Sequence, residues 1–302
     1  MKNLITIMLA FAAFGIQALQ AQGMEDVEIL SQQLSTNIWM IEGAGGNMIL
    51  VKGDEKRGAL LIDDQFAPLS QRILKTVKDL TGQQVAFVIN THWHGDHTGG
   101  NLNIGQTGAV IVAHQNVRER MSSDQFSEAF QRKIPASPPA ALPVITFNEE
   151  IDFYWAGEEI HIIHVPNAHT DGDALVWFKS SNVLHVGDTW FNGLFPYIDV
   201  SSGGSSAGVL AANKKALSIA DENTRIVMGH GPLGNSKELV LFGEKLKKIR
   251  ARMQDLINAE LTLDQIIEAD PIKDFEEGFG GGFLSKKQFI EILYSDLTQN
   301  EK

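Results

Sequence analysis

Between residues 92 and 97 the chain reads His92-Trp93-His94-Gly95-Asp96-His97, four metal-capable side chains within six positions. Imidazole nitrogens together with a carboxylate suit Zn²⁺, Fe or Mn²⁺. Alternate residues of an extended segment project to one side, so His92 and His94 can share an ion. Asp96 and His97 belong to the turn that follows and more naturally reach a second one. Gly95, Gly99 and Gly100 let the backbone bend tightly around that pair. Three further candidates each stand just past a hydrophobic run: His169, Asp188 and His230. A sheet edge would collect all of them in one cleft.

The runs that carry these residues read as strands. Ile38 to Ile41, Asn47 to Val51 and Ala59 to Asp63 are rich in Ile, Leu and Met and are bounded by Gly and Asp. Ser70 to Leu80 switches to helical spacing, with Ile73, Leu74, Val77 and Leu80 on one face and Ser70 as the expected cap. Val85 to Asn90 is a buried strand leading into the histidine motif, Ala109 to Ala113 another, and Asn116 to Lys133 reads as a helix. Four prolines between Pro135 and Pro143 mark a loop. Ile151 to Trp155, Glu159 to Val165, Ala174 to Phe178, Val183 to Val186 and Thr224 to Met228 complete the strands. Leu239 to Leu256 is amphipathic, and a mostly helical tail follows. Two strand-rich blocks with interspersed helices predict an α/β fold in which two sheets pack face to face with helices outside.

His92-x-His94-x-Asp96-His97, followed in order by His169, Asp188 and His230, resembles the metallo-β-lactamase superfamily over nearly all of the chain to about Pro232. The resemblance implies an αββα four-layer sandwich and a two-metal site, zinc by default and iron in some members. It places His92, His94 and His169 on the first metal, Asp96, His97 and His230 on the second, and Asp188 as the bridge. The subclass with a thiolate in the second site is excluded, because Asp188 stands where Cys would be and the chain has no cysteine. The Asp96-His97 pair with Asp188 resembles the broader hydrolase branch of thioesterases, lactonases and phosphodiesterases. The stretch from Ala168 to Phe178 looks closer to the lactamase-like branch.

Two such ions would hold a hydroxide that attacks a carbonyl carbon or phosphorus, with one ion polarising the electrophile and the other stabilising the leaving group. Asp188 and Asp96 are the expected catalytic carboxylates: a bridging Asp188 adds negative charge to the pair, and Asp96 both ligates and orients the hydroxide. Asp63 and Asp64, at a strand end, are candidates to support His92 or His94. Trp190, Phe191, Phe195 and Tyr197 are the expected substrate wall. His161 and His164, three apart in a strand, fall on opposite faces. They read as structural, as do His114 and His185. The expected activity is hydrolysis of a β-lactam, lactone or thioester; a phosphodiesterase of the same fold and a non-catalytic metal-binding or sensing protein are the alternatives.

Composition bounds the remaining choices. The 302 residues carry 25 Lys and Arg against 37 Asp and Glu, a formal charge of -12, which disfavours a nucleic-acid partner. Without cysteine there are no disulfides, thiolate sites or Cys nucleophiles. Lys2, the apolar run Leu4 to Ile16 and the small residues up to Ala21 have the order of a secretory signal, and the run is shorter than the ~20 residues of a spanning helix. The expectation is therefore a leader over 1–21, a catalytic domain over 22–302 whose helical tail begins near 236, a periplasmic or secreted location, a small-molecule substrate and no stable membrane anchor. The sequence leaves the oligomeric state open.

Overall fold

The computed structural model describes residues 23–275, 279–280 and 282–299. The leader expected over 1–21 lies outside them. Among the described residues no helix is long and apolar enough to cross a membrane.

Fourteen strands are described in chain order: β1 (Leu30–Ser35), β2 (Ile38–Glu42), β3 (Met48–Val51), β4 (Ala59–Ile62), β5 (Val85–Asn90), β6 (Val110–His114), β7 (Gln125–Ser127), β8 (Arg132–Ile134), β9 (Ile145–Phe147), β10 (Glu150–Trp155), β11 (Glu158–His164), β12 (Ala174–Phe178), β13 (Val183–His185) and β14 (Arg225–Val227). One sheet runs β1-β2-β3-β4-β5-β6-β9 and a second runs β10-β11-β12-β13-β14, while β7 and β8 form a separate hairpin. The expected αββα sandwich is the observed one.

Period-two alternation builds the layers. Ile49 and Val51 of β3 and Leu60 and Ile62 of β4 meet Ile160, Ile162, Val176 and Phe178 between the sheets. Met48, Leu50, Ala59 and Leu61 point the other way, onto Ile73 and Val77 of the helix Ser70–Thr81. On the far side Leu175, Leu184 and Ile226 pack under the helices Ser206–Ile219, Ser236–Asn258 and Lys286–Gln299 through Val209, Phe242, Leu246, Ile249 and Leu293. The C-terminal helices are thus part of the outer layer rather than an appendage.

Two local readings are corrected. Ser70 is the first residue of its helix, not the cap: Leu69 holds that position, and the Ser70 hydroxyl donates to Ala67 O. The helix expected over 116–133 spans only Gln115–Met121. The Ser122 N–H closes back on Arg118 and Glu119 carbonyls, Ser122-Ser123-Asp124 breaks the helix, and the chain turns into the β7–β8 hairpin.

Candidate metal centre

Every candidate ligand sits where a strand runs out. β5 ends at Asn90 and delivers His92. His94, in extended conformation, precedes the short helix Gly95–Thr98, whose first turn carries Asp96 and His97. β11, β13 and β14 end just before His169, Asp188 and His230 in the other sheet. The cleft is formed where these ends of the two sheets face each other.

The donor atoms fall into interlocking groups: His92, His94 and His169; His92, His97 and Asp188; Asp96, His97 and His230, each with its atoms within 4.8 Å of one another. Asp188 lies at their centre. Its Oδ2 is 3.9 Å from His92 Nε2, 3.6 Å from His169 Nε2 and 3.4 Å from His230 Nε2, and its Oδ1 is 3.2 Å from His97 Nε2. Asp96 Oδ2 is 3.1 Å from His230 Nε2 and 3.7 Å from His97 Nε2. Ligand atoms around a tetrahedral ion with ~2.0–2.1 Å bonds are spaced at about 3.4 Å, so the residues fit a small divalent cation.

The orientation of the rings supports the same fit. His92 Nδ1 meets Thr91 Oγ1 at 3.1 Å, His97 Nδ1 meets Asp63 Oδ2 at 2.8 Å, His169 Nδ1 meets Tyr197 O at 2.7 Å, and His94 Nε2 meets Asp199 Oδ2 at 2.9 Å. One nitrogen of each ring is thereby engaged and the other is turned inward, as metal-binding histidines require. His92 Nε2, His97 Nε2 and Asp188 Oδ1 are buried and have no hydrogen-bond partner. Orphaned buried polar atoms are costly, and three that converge on one point are the signature of a missing ligand.

The charges tell the same story. Burial lowers His92 well below the usual histidine pKa, helped by His97, and lowers His169 to about 4, helped by His94. Burial also opposes protonation of His97 and His230, but Asp188 and Asp96 outweigh it, raising His97 well above the ordinary value and His230 to about 9.

The supporting residues differ in part from the expectation. Asp63 braces His97, not His92 or His94 directly: its carboxylate also takes the Thr91 N–H and hydroxyl, each at 2.8 Å, and so reaches His92 only through Thr91. It does so from a positive φ of 61°, a conformation Asp tolerates better than most residues. The Asp64 side chain bonds to no ligand ring, although its backbone N–H donates to His97 O at 2.9 Å. It accepts from Gly100 N at 2.9 Å, and burial beside Asp63 raises its pKa well above the ordinary carboxylate value. Asp199, which sequence reasoning did not single out, braces His94. Ser201 and Ser202 donate to the same carboxylate.

The expected aromatic wall divides. Trp190 packs against Phe242 and Phe195 stacks on Phe289, both away from the histidine cluster, so both belong to the core and are corrected as wall residues. Phe191 stacks on His230 with centroids 5.4 Å apart, and Tyr197 on His94 at 5.6 Å. The other histidines lie outside the cluster. His185 is buried between Asn47 O and Gly187 N, His114 and His164 stack on each other, and His161 pairs with Asp152 and Glu150 at the surface.

A four-layer sandwich whose facing strand ends collect five histidines and two aspartates around orphaned donor atoms defines a hydrolase of the metallo-β-lactamase fold. Residues 33–230 match the metallo-beta-lactamase superfamily, and the chain belongs to it. It is 29% identical over 214 residues to a hydroxyacylglutathione hydrolase of Nitrosococcus oceani, covering 70% of this chain and 72% of that one. To a protein of the same name from Haemophilus influenzae it is 26% identical over 186 residues, 61% of this chain and 85% of that one. Among solved structures, a metallo-beta-lactamase from Pontibacter korlensis superposes with a TM-score of 0.58 at 18% identity, over 73% of this chain and 99% of that chain. A sec-alkyl sulfatase superposes with a TM-score of 0.66 at 15% identity, over 91% and 51%. These structural likenesses show the fold alone.

Proposed function

We propose that the protein is an exported, two-zinc hydrolase that cleaves an activated carbonyl compound, with a thioester as the leading substrate class and a lactone or β-lactam next. The observation that carries it is the central position of Asp188, whose Oδ2 lies within 3.9 Å of His92, His169 and His230 and whose Oδ1 lies 3.2 Å from His97. That arrangement favours two ions bridged by Asp188: His92, His94 and His169 would hold the first, and Asp96, His97 and His230 the second. The relatives named hydroxyacylglutathione hydrolase favour the thioester. Export is inferred from the leader-like order of residues 1–21.

When bound, such ions supply Lewis acidity toward the carbonyl oxygen and lower the pKa of water. The side chains hold the geometry for that chemistry. Asp63, Thr91, Asp199 and the Tyr197 carbonyl lock the four innermost rings, so little reorganisation is left for the reaction itself. Asp188 is almost wholly buried, whereas the Asp96 side chain is 25% exposed and is the carboxylate that faces the cleft opening. His97 and His230 hold Asp96 well below the usual carboxylate range despite its burial, so it remains ionised and able to accept a hydrogen bond from an incoming nucleophile.

The test is metal content together with turnover. Purified protein should carry close to two zinc equivalents, hydrolyse at least one of a thioester, a lactone and a chromogenic cephalosporin, lose that activity with a chelator and regain it with Zn²⁺. Two bound ions with no hydrolysis of any of these, nor of a phosphodiester, would overturn the enzymatic reading.

A further inference from the structure

We propose that the mouth of the metal centre is a receptor for an apolar group of phenyl size on the substrate, made by Phe130, Phe191, Tyr197 and Phe283. The inference deepens the hydrolase reading above and rests on it. Phe191 and Tyr197 form the inner part of this surface and are nearly buried. Their rings lie flat against His230 and His94, with interplanar angles of 10° and 22°. Phe130 and Phe283 stand outside them and are 37% and 47% exposed.

The four rings come from three separate stretches of chain yet meet at the spacing of aromatic contacts. Phe130 is 5.2 Å from Tyr197. Phe283 is 6.0 Å from Phe191, 6.2 Å from Tyr197 and 5.9 Å from His230, and the two outer rings are 6.3 Å apart. Both outer segments are tied to the site. Phe130 is at the tip of the β7–β8 hairpin, where the Ser127 hydroxyl meets the Tyr197 hydroxyl at 3.4 Å. Phe283 follows a segment anchored to the 191–194 loop, through the Gly193–Phe279 bridge and the hydrogen bond from Gly280 N to Gly193 O. Two large apolar rings left partly in water beside reactive ligands are a surface that gains by covering.

The loop that carries Phe191 and Tyr197 brings no free cation of its own. The one cation between His169 and Gly208 is Lys179, and it is engaged by Glu159 on β11. Arg132 lies over the Phe130 ring, 5.8 Å from its centroid. Its guanidinium sits at the rim of this surface as a cation over an aromatic face. The exposed rings of Phe130 and Phe283, with Arg132 at their rim, are therefore what this surface presents to an approaching substrate.

The experiment compares the zinc-loaded wild type with Phe130→Ala, Phe283→Ala, the double variant and Phe130→Leu/Phe283→Leu. Substrates are paired thioesters: phenylacetyl and acetyl on one thiol, then benzyl and methyl thiols on one acyl group. The wild type should prefer the ring-bearing member of at least one pair, and the double alanine variant should lose that preference at least tenfold. The double leucine variant should recover part of it, and zinc content should stay that of the wild type. Absence of preference in the wild type, or an equal fall for both members of each pair, overturns the proposal. Saturation-transfer NMR on chelator-treated protein gives a readout independent of turnover. Phenylacetamide should bind the wild type and not the double alanine variant, and acetamide should bind neither. Binding without hydrolysis of any substrate would uphold the receptor and refute the hydrolase reading; hydrolysis without ring binding would do the reverse.

Discussion

The Asp199 carboxylate reaches back across 105 residues to His94 and meets its Nε2 at 2.9 Å. It thereby leaves Nδ1, which lies 2.8 Å from His169 Nε2, as the atom His94 can offer to an ion. Asp199→Ala should lower zinc affinity about 10- to 100-fold, the usual effect of losing a partner of a ligating ring. Competition with a chromophoric chelator measures it. An unchanged affinity would show that His94 is oriented without Asp199.

Gly229 is required by the space it leaves. A Cβ there would lie 1.7 Å from Asp188 Oδ1 and 3.0 Å from His97 Cε1. Gly229→Ala should displace the central carboxylate and remove at least one zinc equivalent per chain, read by elemental analysis. Gly82→Ala is the contrasting variant: nothing lies near, but φ is +76°, so it should cost about 1 kcal/mol or more of stability and no metal.

The stacked pair His114 and His164, with centroids 3.8 Å apart and planes within 9°, carries a pH signature. Burial depresses the pKa of both, and for His114 the neighbouring His164 adds to it. Below the ordinary histidine pKa of ~6.5 the unfolded chain takes up protons that the folded pair resists. Their contribution to stability is therefore complete above that pH and is lost as pH falls through it. The pKa of His185 is lowered by burial as well and adds to the same slope. His164→Phe should flatten the decline in melting temperature between about pH 6.5 and 5, and an identical slope in the variant would refute the assignment.

Trp190 and Tyr197 were expected to act alike and should not. Trp190→Ala should cost ~3–5 kcal/mol of stability through the cavity it leaves beside Phe242, with zinc still bound by folded protein. Denaturant titration and metal analysis on the same samples separate the two effects. Loss of zinc without loss of stability would return Trp190 to the site.

Chelated and zinc-saturated protein should melt far apart. At a free zinc concentration of 1,000 times Kd each ion adds about 4 kcal/mol, which for a domain of this size is an increase of roughly 10 °C. Calorimetry with and without chelator measures it, and coincident transitions would mean that the donor cluster holds no ion tightly.

The candidate cluster was legible because its chemistry is rare and its setting regular. His92, His94, Asp96 and His97 crowd one strand end, and His169, Asp188 and His230 each follow a hydrophobic run that could only be a strand. The layer order followed from the same alternation. Asp199 was not legible: a single aspartate in a loop carries no mark of the histidine it will meet after the other sheet has formed. Phe130 was hidden by the helix-favouring residues around it, which read as one long helix until Ser122-Ser123-Asp124 is seen to end it at Met121. Trp190 and Phe191 are adjacent and equally aromatic, and only the fold decides that one faces Phe242 and the other His230.

The ligands are divided between the sheets, with the 92–97 group on one and His169, Asp188 and His230 on the other. An ion bound there would be a cross-link, closing a loop of about 75 residues between His94 and His169 or of about 130 between His97 and His230, in a chain that has no cysteine with which to make a disulfide. In the chain-entropy view a covalent bridge over such a loop is worth about 5 kcal/mol, and a metal staple would act in the same sense. Catalytic loading and structural integrity would then be one event, so that a starved enzyme is also a loosened one.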